Sequence, residues 1–245
     1  MFDHVTIRVA DRATSERFFE RVLTPLGLHT TYATRFVSMW DDFALTQVED
    51  DEGVTRGLHV AFAAPSREQV DGFWHAGVDT GYRDNGPPGP RPKYRDDYYG
   101  AFLLDPDGNN IEAVHHGDLR RRPDGIIDHL WIRVADLPAA AAFYRIVAGA
   151  AGFEVLRDDP ERASFGGGAE GGSFSLVAGS PTEDLHMAFP GDDDAVRRFY
   201  EETTAAGYRG NGEPGERPRY HAGYYAAYVL DPDGNNIEVV NHNRP

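Results

Sequence analysis

The chain has 245 residues, 40% hydrophobic and 12% aromatic, which is enough apolar material for a packed core and too much for wholesale disorder. With 24 basic against 40 acidic residues the net charge is −16, which repels phosphate backbones and anionic lipid and argues against nucleic-acid or membrane partners. Cysteine is absent, so disulfides, thiolate nucleophiles and thiolate-held metals are excluded, and any metal must be held by His, Asp or Glu.

The first predicted element is a half-buried strand over His4–Val9, with His4, Thr6 and Arg8 on one face and Val5, Ile7 and Val9 on the other. A helix over Ser15–Leu23 carries Phe18, Phe19, Val22 and Leu23 at helical spacing and stops at Pro25 and Gly27. Three short strands are expected near Thr30–Ala33, Arg35–Trp40 and Phe43–Val48. A strand over Leu58–Ala63 restarts the order. Ser66 with Gln69 three residues later then opens a helix that turns Val70, Phe73 and Trp74 inward and ends at Gly77. A Pro/Gly-rich loop, Asn85–Pro92, leads to a hairpin of Tyr98–Leu104 and Asn110–Val114 that turns at Asp105-Pro106-Asp107-Gly108. No apolar run reaches the ~18 residues of a membrane span, and the start, Met1-Phe2-Asp3-His4, has no basic-then-apolar leader; a soluble, cytoplasmic protein is expected.

The order is then written again. Arg91–His115 and Arg217–Asn241 are identical at 16 of 25 positions with an offset of 126. Asp3–Asp11 mirrors Asp128–Asp136, and Leu58–Phe62 mirrors Leu185–Phe189. A duplicated domain is the direct reading: domain one over 1–117, a charged linker over 118–125, and domain two over 126–245. The Gly166–Gly171 stretch matches G-x-G-x-x-G, but the segment after it reads as strand rather than helix, so a dinucleotide role is rejected.

Ionisable residues recur at matched places in the two copies. His4, His59 and Glu112 stand on the first strand, the restarting strand and the last strand of domain one; His129, His186 and Glu238 repeat them in domain two. An imidazole or carboxylate on an inward sheet face needs a partner. Two imidazoles and a carboxylate form the three-point facial ligand set that leaves metal positions open. Each triple is expected to converge on one divalent ion, with Fe²⁺ first and Mn²⁺, Ni²⁺, Zn²⁺ or Co²⁺ as alternatives.

The paired strand–helix–strand–strand–strand units, this ligand pattern and the two Asp-Pro-Asp-Gly-Asn…Ile-Glu hairpins (Asp105–Glu112 and Asp231–Glu238) resemble the vicinal oxygen chelate superfamily, the glyoxalase/bleomycin-resistance/dioxygenase fold. The resemblance spans essentially the whole chain. It implies an α+β fold of tandem domains, each built of two such units forming a cup-shaped, mostly antiparallel sheet with helices outside. It also implies a divalent metal that chelates adjacent oxygens of a small-molecule substrate. Glyoxalases and epimerases of the family carry a further acidic residue on the last strand of the first unit; here Phe43–Val48 and Phe174–Ala178 have no mid-strand carboxylate. Extradiol dioxygenases and metal-dependent antibiotic-modifying transferases instead often place a Tyr ten residues before the ligand Glu, which falls on Tyr228 in domain two but Phe102 in domain one. His221, where domain one has Arg95, is the candidate base. Of the pairs Tyr98-Tyr99 and Tyr224-Tyr225, one ring each is expected in the core, with Tyr99 and Tyr225 lining the pocket. Arg91 and Arg217 are expected at its rim or in loop salt bridges. The expected activity is an extradiol-dioxygenase-like oxidoreductase. The alternatives are a glyoxalase-like lyase or isomerase, an antibiotic-modifying transferase, or a module that sequesters a drug without turnover. The expected assembly is a two-domain monomer or a homodimer, with domain two the working site.

Overall fold

The computed structural model describes residues 1–49, 52–117, 125–167 and 172–243, and its chain divides into two compact units. The first is Thr6–Trp131; the second joins Ile132–Pro245 to the opening Met1–Val5. The cuts fall inside the leading strand of each repeat. The linker expected at 118–125 lies, apart from Gly125, outside the described residues, as do residues 168–171 of the glycine-rich stretch.

The first copy runs β1 (His4–Val9), α1 (Arg12–Leu23), β2 (Tyr32–Ala33), β3 (Val37–Trp40), β4 (Phe43–Gln47), β5 (His59–Ala63), α2 (Arg67–Val78), β6 (Arg83–Pro90), β7 (Tyr99–Leu104) and β8 (Asn110–His115). The second runs β9 (Ile127–Val134), α3 (Leu137–Ala151), β10 (Glu154–Asp158), β11 (Ala163–Gly166), β12 (Ser173–Ala178), β13 (Leu185–Pro190), α4 (Asp193–Ala205), β14 (Gly210–Glu216), β15 (Tyr225–Leu230) and β16 (Asn236–Asn241). The fold is α+β, two tandem repeats of β-α-β-β-β units. In the first unit the opening half of β9 pairs antiparallel with β5, β5 runs parallel to β8, and β7 and β6 complete the row antiparallel. In the second, β13 runs parallel to β16, followed antiparallel by β15 and β14. Phe18, Phe19, Val22 and Leu23 of α1 are fully buried, and α1 packs on α2 as α3 packs on α4.

Two expectations are corrected. Helix α1 starts at Arg12, three residues before Ser15, because the Asp11 side chain accepts from Thr14 N at 2.8 Å and caps the first turn. Most of the Pro/Gly-rich Asn85–Pro92 stretch is strand β6, not loop. It tolerates Pro87 and Pro88 because, among the described residues, it pairs only with β7, and its register shifts at Asp84/Gly86 and Gly86/Gly89 take the residues that cannot donate out of the ladder.

The Asp-Pro-Asp-Gly-Asn-Asn turn does more than reverse the chain. Asp105 Oδ1 accepts from Asn109 N at 2.8 Å, and the buried Asn109 amide donates to Thr55 O at 2.9 Å while accepting from Leu58 N at 3.2 Å. This fastens the hairpin to the segment entering β5 and fixes where His59 begins. Asn235 makes the same bonds to Thr182 O (3.0 Å) and Leu185 N (3.0 Å) ahead of His186. Asn109→Ala leaves the buried Leu58 N–H without this acceptor, so we expect a loss of about 2–4 kcal/mol in denaturant unfolding of the metal-free protein. A loss below about 0.5 kcal/mol would show that the turn does not anchor β5.

Candidate metal centres

The structure brings all six predicted ligands into two clusters, but exchanges one histidine between them. One cluster is His59, Glu112 and His129, within the first unit; the other is His4, His186 and Glu238, within the second. The expected groupings, His4 with His59 and Glu112 and His129 with His186 and Glu238, are corrected by strand pairing. On the antiparallel β5–β9 ladder Ala61 faces His129 and His59 faces Trp131, which sets the two imidazoles side by side. Likewise Asp3 N donates to Ala188 O at 2.9 Å, which holds the start of β1 beside β13. The leading histidine of each repeat thus serves the other copy's pair.

In each cluster the ligand atoms lie within 4.8 Å of one another. In the first, His59 Nε2 is 3.0 Å and His129 Nε2 3.6 Å from Glu112 Oε2, with the nitrogens 3.3 Å apart. In the second, His186 Nε2 is 3.0 Å and His4 Nε2 3.8 Å from Glu238 Oε2, with the nitrogens 3.1 Å apart. Three ligands at ~2.1 Å from one ion, separated by roughly 90–110°, stand about 3.0–3.5 Å apart. Proton placement supports the same fit. His4 Nδ1 faces the Asp3 carboxylate at 2.7 Å, a partner that cannot donate, whereas His186 Nδ1 lies between the Asn236 side-chain amide nitrogen at 2.9 Å and the Asn236 carbonyl at 3.1 Å. The His4 Nδ1 therefore carries the hydrogen, and as a neutral ring His4 turns its Nε2 lone pair inward, beside the Glu238 carboxylate. His129 is held the same way by Asp128 at 2.7 Å, and the Asn110 amide lies 2.6 Å from His59 Nδ1. Two imidazoles and a carboxylate converging at these distances are a donor set that suits a divalent cation.

Each ligand carboxylate also accepts a phenol hydrogen bond: Tyr98 to Glu112 Oε1 at 2.6 Å and Tyr224 to Glu238 Oε1 at 2.7 Å. This corrects the expected roles of the tyrosine pairs. Tyr99 donates instead to Asp71 of α2 at 2.8 Å, and Tyr225 lies under Arg197 of α4, so both are on the helix side of their sheets. Arg91 and Arg217 staple their own loops. Arg91 donates to Pro87 O and Pro90 O and covers the Phe102 ring; Arg217 donates to Glu213 O and Glu216 O and covers Tyr228. Their bonds are to main-chain carbonyls, not to the carboxylates of a loop salt bridge. Tyr228 is opposite Glu238 in the β15–β16 register, as Phe102 is opposite Glu112. Its hydroxyl is buried without a hydrogen-bond partner of good geometry, and burial together with the nearby Glu238 charge pushes its pKa up. His221 does not adjoin the ligand cluster: its Nε2 bonds His242 Nδ1 at 2.8 Å.

Burial pushes the Glu112 carboxyl up to about 7, against the opposing pull of His129 and the Tyr98 hydroxyl. At Glu238 burial is outweighed by His186, His4 and Tyr224, and the group falls below its ordinary value. A ligating carboxylate must lose its proton, so below pH ~7 proton competition at Glu112 lowers the apparent metal affinity of the first centre by about tenfold per pH unit. The second centre is expected to hold its ion to lower pH. Cobalt titrations of Glu238→Gln and Glu112→Gln variants between pH 5.5 and 8 check this; equal acid sensitivity would contradict it.

The comparisons agree with this geometry. A family model described as Glyoxalase/Bleomycin resistance protein/Dioxygenase superfamily matches residues 1–113 and 126–239. Glyoxalase I from Zea mays aligns over 98% of this chain and 92% of its own with a TM-score of 0.69 at 18% identity. A candidate dioxygenase from Bacillus subtilis aligns over 99% and 85% with a TM-score of 0.63 at 13% identity. A glyoxalase/bleomycin resistance protein from Albidiferax ferrireducens is 34% identical over 47% of this chain and 99% of its own, with a TM-score of 0.44. No curated protein matches the chain. Among the described residues, no helix is long and apolar enough to cross a membrane. With both halves matched and both ligand clusters assembled, the chain belongs to the glyoxalase/bleomycin resistance protein/dioxygenase superfamily.

Proposed function

We propose that the protein is a metal-dependent enzyme acting on a small molecule with adjacent oxygens, of the ring-cleaving dioxygenase type, and that the second unit is its working site. The observation that carries this reading is the His4–His186–Glu238 cluster with the Tyr228 hydroxyl buried beside it and lacking a hydrogen-bond partner of good geometry. A divalent ion held there supplies Lewis acidity toward the adjacent oxygens and, as iron, one-electron chemistry with dioxygen. Asp3 keeps His4 in the ligating tautomer, Asn236 holds the His186 ring in place through its side-chain amide and carbonyl, and Tyr224 orients Glu238. The Tyr228 hydroxyl has a hydrogen to give to a substrate oxygen on which charge develops. Neither Phe43–Gln47 nor Ser173–Ala178 carries a carboxylate, which counts against a glyoxalase-like proton abstraction.

Anaerobic reconstitution with Fe²⁺, Mn²⁺, Co²⁺, Ni²⁺ and Zn²⁺, followed by a screen of catechols, thiols and epoxides, tests the proposal. Oxygen uptake with a catechol on the iron form is the expected result. Turnover only of thiols or epoxides makes it a transferase, and tight binding of an aromatic compound without turnover makes it a sequestration module.

A further inference from the structure

Acidic residues outnumber basic ones by 40 to 24, yet one cation beside each cluster has no acid to answer it. Among the described residues neither Arg217 of the second unit nor Arg91 of the first has a carboxylate in ion-pair range, whereas Arg12, Arg95, Arg145 and Arg197 each have one. Glu213 and Glu216 stand close to Arg217 in sequence but give it only their main-chain carbonyls, one to each terminal nitrogen. A guanidinium has five N–H groups, so three remain on a half-buried side chain.

The fold makes room for this cation at the centre. The Arg217 guanidinium carbon lies 5.6 Å from the middle of the Tyr228 ring, which faces Glu238 across the ladder and is 6.3 Å from the His186 ring. One ring thus separates the charge from a candidate ligand. A Cβ on Gly215 would stand 2.9 Å from Arg217 Nη1, and one on Gly212 would stand 2.8 Å from the Tyr228 ring. Neither glycine has a left-handed backbone, so close approach of the arginine and the ring is the reason for both. The first unit repeats the arrangement: Arg91 lies 5.5 Å over Phe102, and a Cβ on Gly89 would meet its Nη1 at 3.0 Å. The charge also reaches the reacting side of the ring. Against burial and the Glu238 charge, which raise the Tyr228 pKa, Arg217 pulls it down.

We propose that Arg217 is the specificity-determining residue of the second centre: its remaining N–H groups take a carboxylate carried by the substrate, which makes the substrate class an aromatic acid with adjacent oxygens rather than an uncharged catechol. This deepens, and rests on, the function proposed above. A planar fork of N–H groups matches a carboxylate through two parallel bonds, and the aromatic ring beneath it fixes the plane of the fork. At a net charge of −16 the protein repels an anion everywhere that no cation is set to receive it, so an unanswered guanidinium one ring from the ligands is where an anion gains most. The two main-chain bonds hold the arginine in place before the substrate arrives, which lowers the ordering cost of binding.

Calorimetric binding to the Zn²⁺-loaded protein, in a Glu112→Gln background that confines the ion to the second centre, tests this without reference to activity. The probes are 3,4-dihydroxybenzoate, its methyl ester and catechol. The acid is expected to bind about tenfold or more tighter than the ester, the gain from one charge-assisted pair. Arg217→Gln should bring acid and ester within about twofold of each other, while catechol, which has no carboxylate, moves by less than about threefold and the zinc content is unchanged. A role confined to stapling the loop would weaken all three probes alike and overturn the proposal. A preference for acid over ester that survives Arg217→Gln, or that is missing when Arg217 is intact, would overturn it too. If Arg217→Gln does not fold, Arg217→Lys decides: it keeps the charge without the fork and should cut the preference at least about threefold, and an unchanged preference overturns the proposal. Failure of every probe to bind would overturn it together with the adjacent-oxygen reading. An Arg217-dependent preference without oxygen uptake by the iron form supports the proposal and removes only the dioxygenase reading.

Discussion

Glu238→Gln is expected to abolish turnover, whereas Glu112→Gln should leave at least half of it under saturating metal. Both substitutions keep the shape of a buried side chain and replace a ligand oxygen anion by an amide, which lowers divalent affinity by at least about a hundredfold. The asymmetry rests on what surrounds two nearly superimposable triangles. The second unit has a phenol, Tyr228, where the first has a phenyl ring, Phe102, each directly across the ladder from its glutamate. His242 there bonds the His221 imidazole, where His116 of the first unit meets the Arg95 guanidinium. Metal content per chain measured beside the rates separates loss of the ion from loss of chemistry. Equal partial losses would mean two independent working centres, and loss from Glu112→Gln alone would move the active site to the first unit.

The repeat made the fold readable. Duplicated strand alternation, the capping spacing at Ser66 and the two Asp-Pro-Asp-Gly turns set the element order, and all six residues of the two clusters were marked by their recurrence at matched strands. Their grouping did not, because strand order across a ladder is a tertiary property: that β9 lies against β5 cannot be read from either segment alone. The tyrosines were legible and were misassigned. Tyr98 lies four residues before Phe102, and Tyr224 four before Tyr228, so strand alternation already puts both on the ligand face, with Tyr99 and Tyr225 on the other. The outer partners had a signal as well. Asp precedes the leading histidine in both copies, at Asp3-His4 and Asp128-His129, and each Asn-Asn pair offers one side chain to the entering strand and the next to its histidine. The strand at Arg83–Pro90 gave no such signal, since its prolines and glycines argue for a loop until an edge position and two register shifts accommodate them.

Tyr228→Phe is expected to lower kcat by about 10²–10³ while leaving metal affinity and fold intact, the cost of losing one donor to a developing oxyanion. The structure gives this prediction a second, opposite sign to check. A buried hydroxyl without a good partner costs about 1–3 kcal/mol of stability. Tyr228 is 8% exposed and its hydroxyl has no such partner, so the phenyl ring should pack in its place with unchanged or higher unfolding stability. A residue kept at a stability cost and lost at a catalytic one is the pattern of a functional group. A structural tyrosine would behave the other way, with stability falling and kcat unchanged. By the same desolvation argument the reciprocal Phe102→Tyr, which buries a hydroxyl opposite Glu112, should destabilise the first unit. If Tyr228→Phe destabilised the protein and left kcat within twofold, the hydroxyl would belong to the core and the oxyanion role would fall.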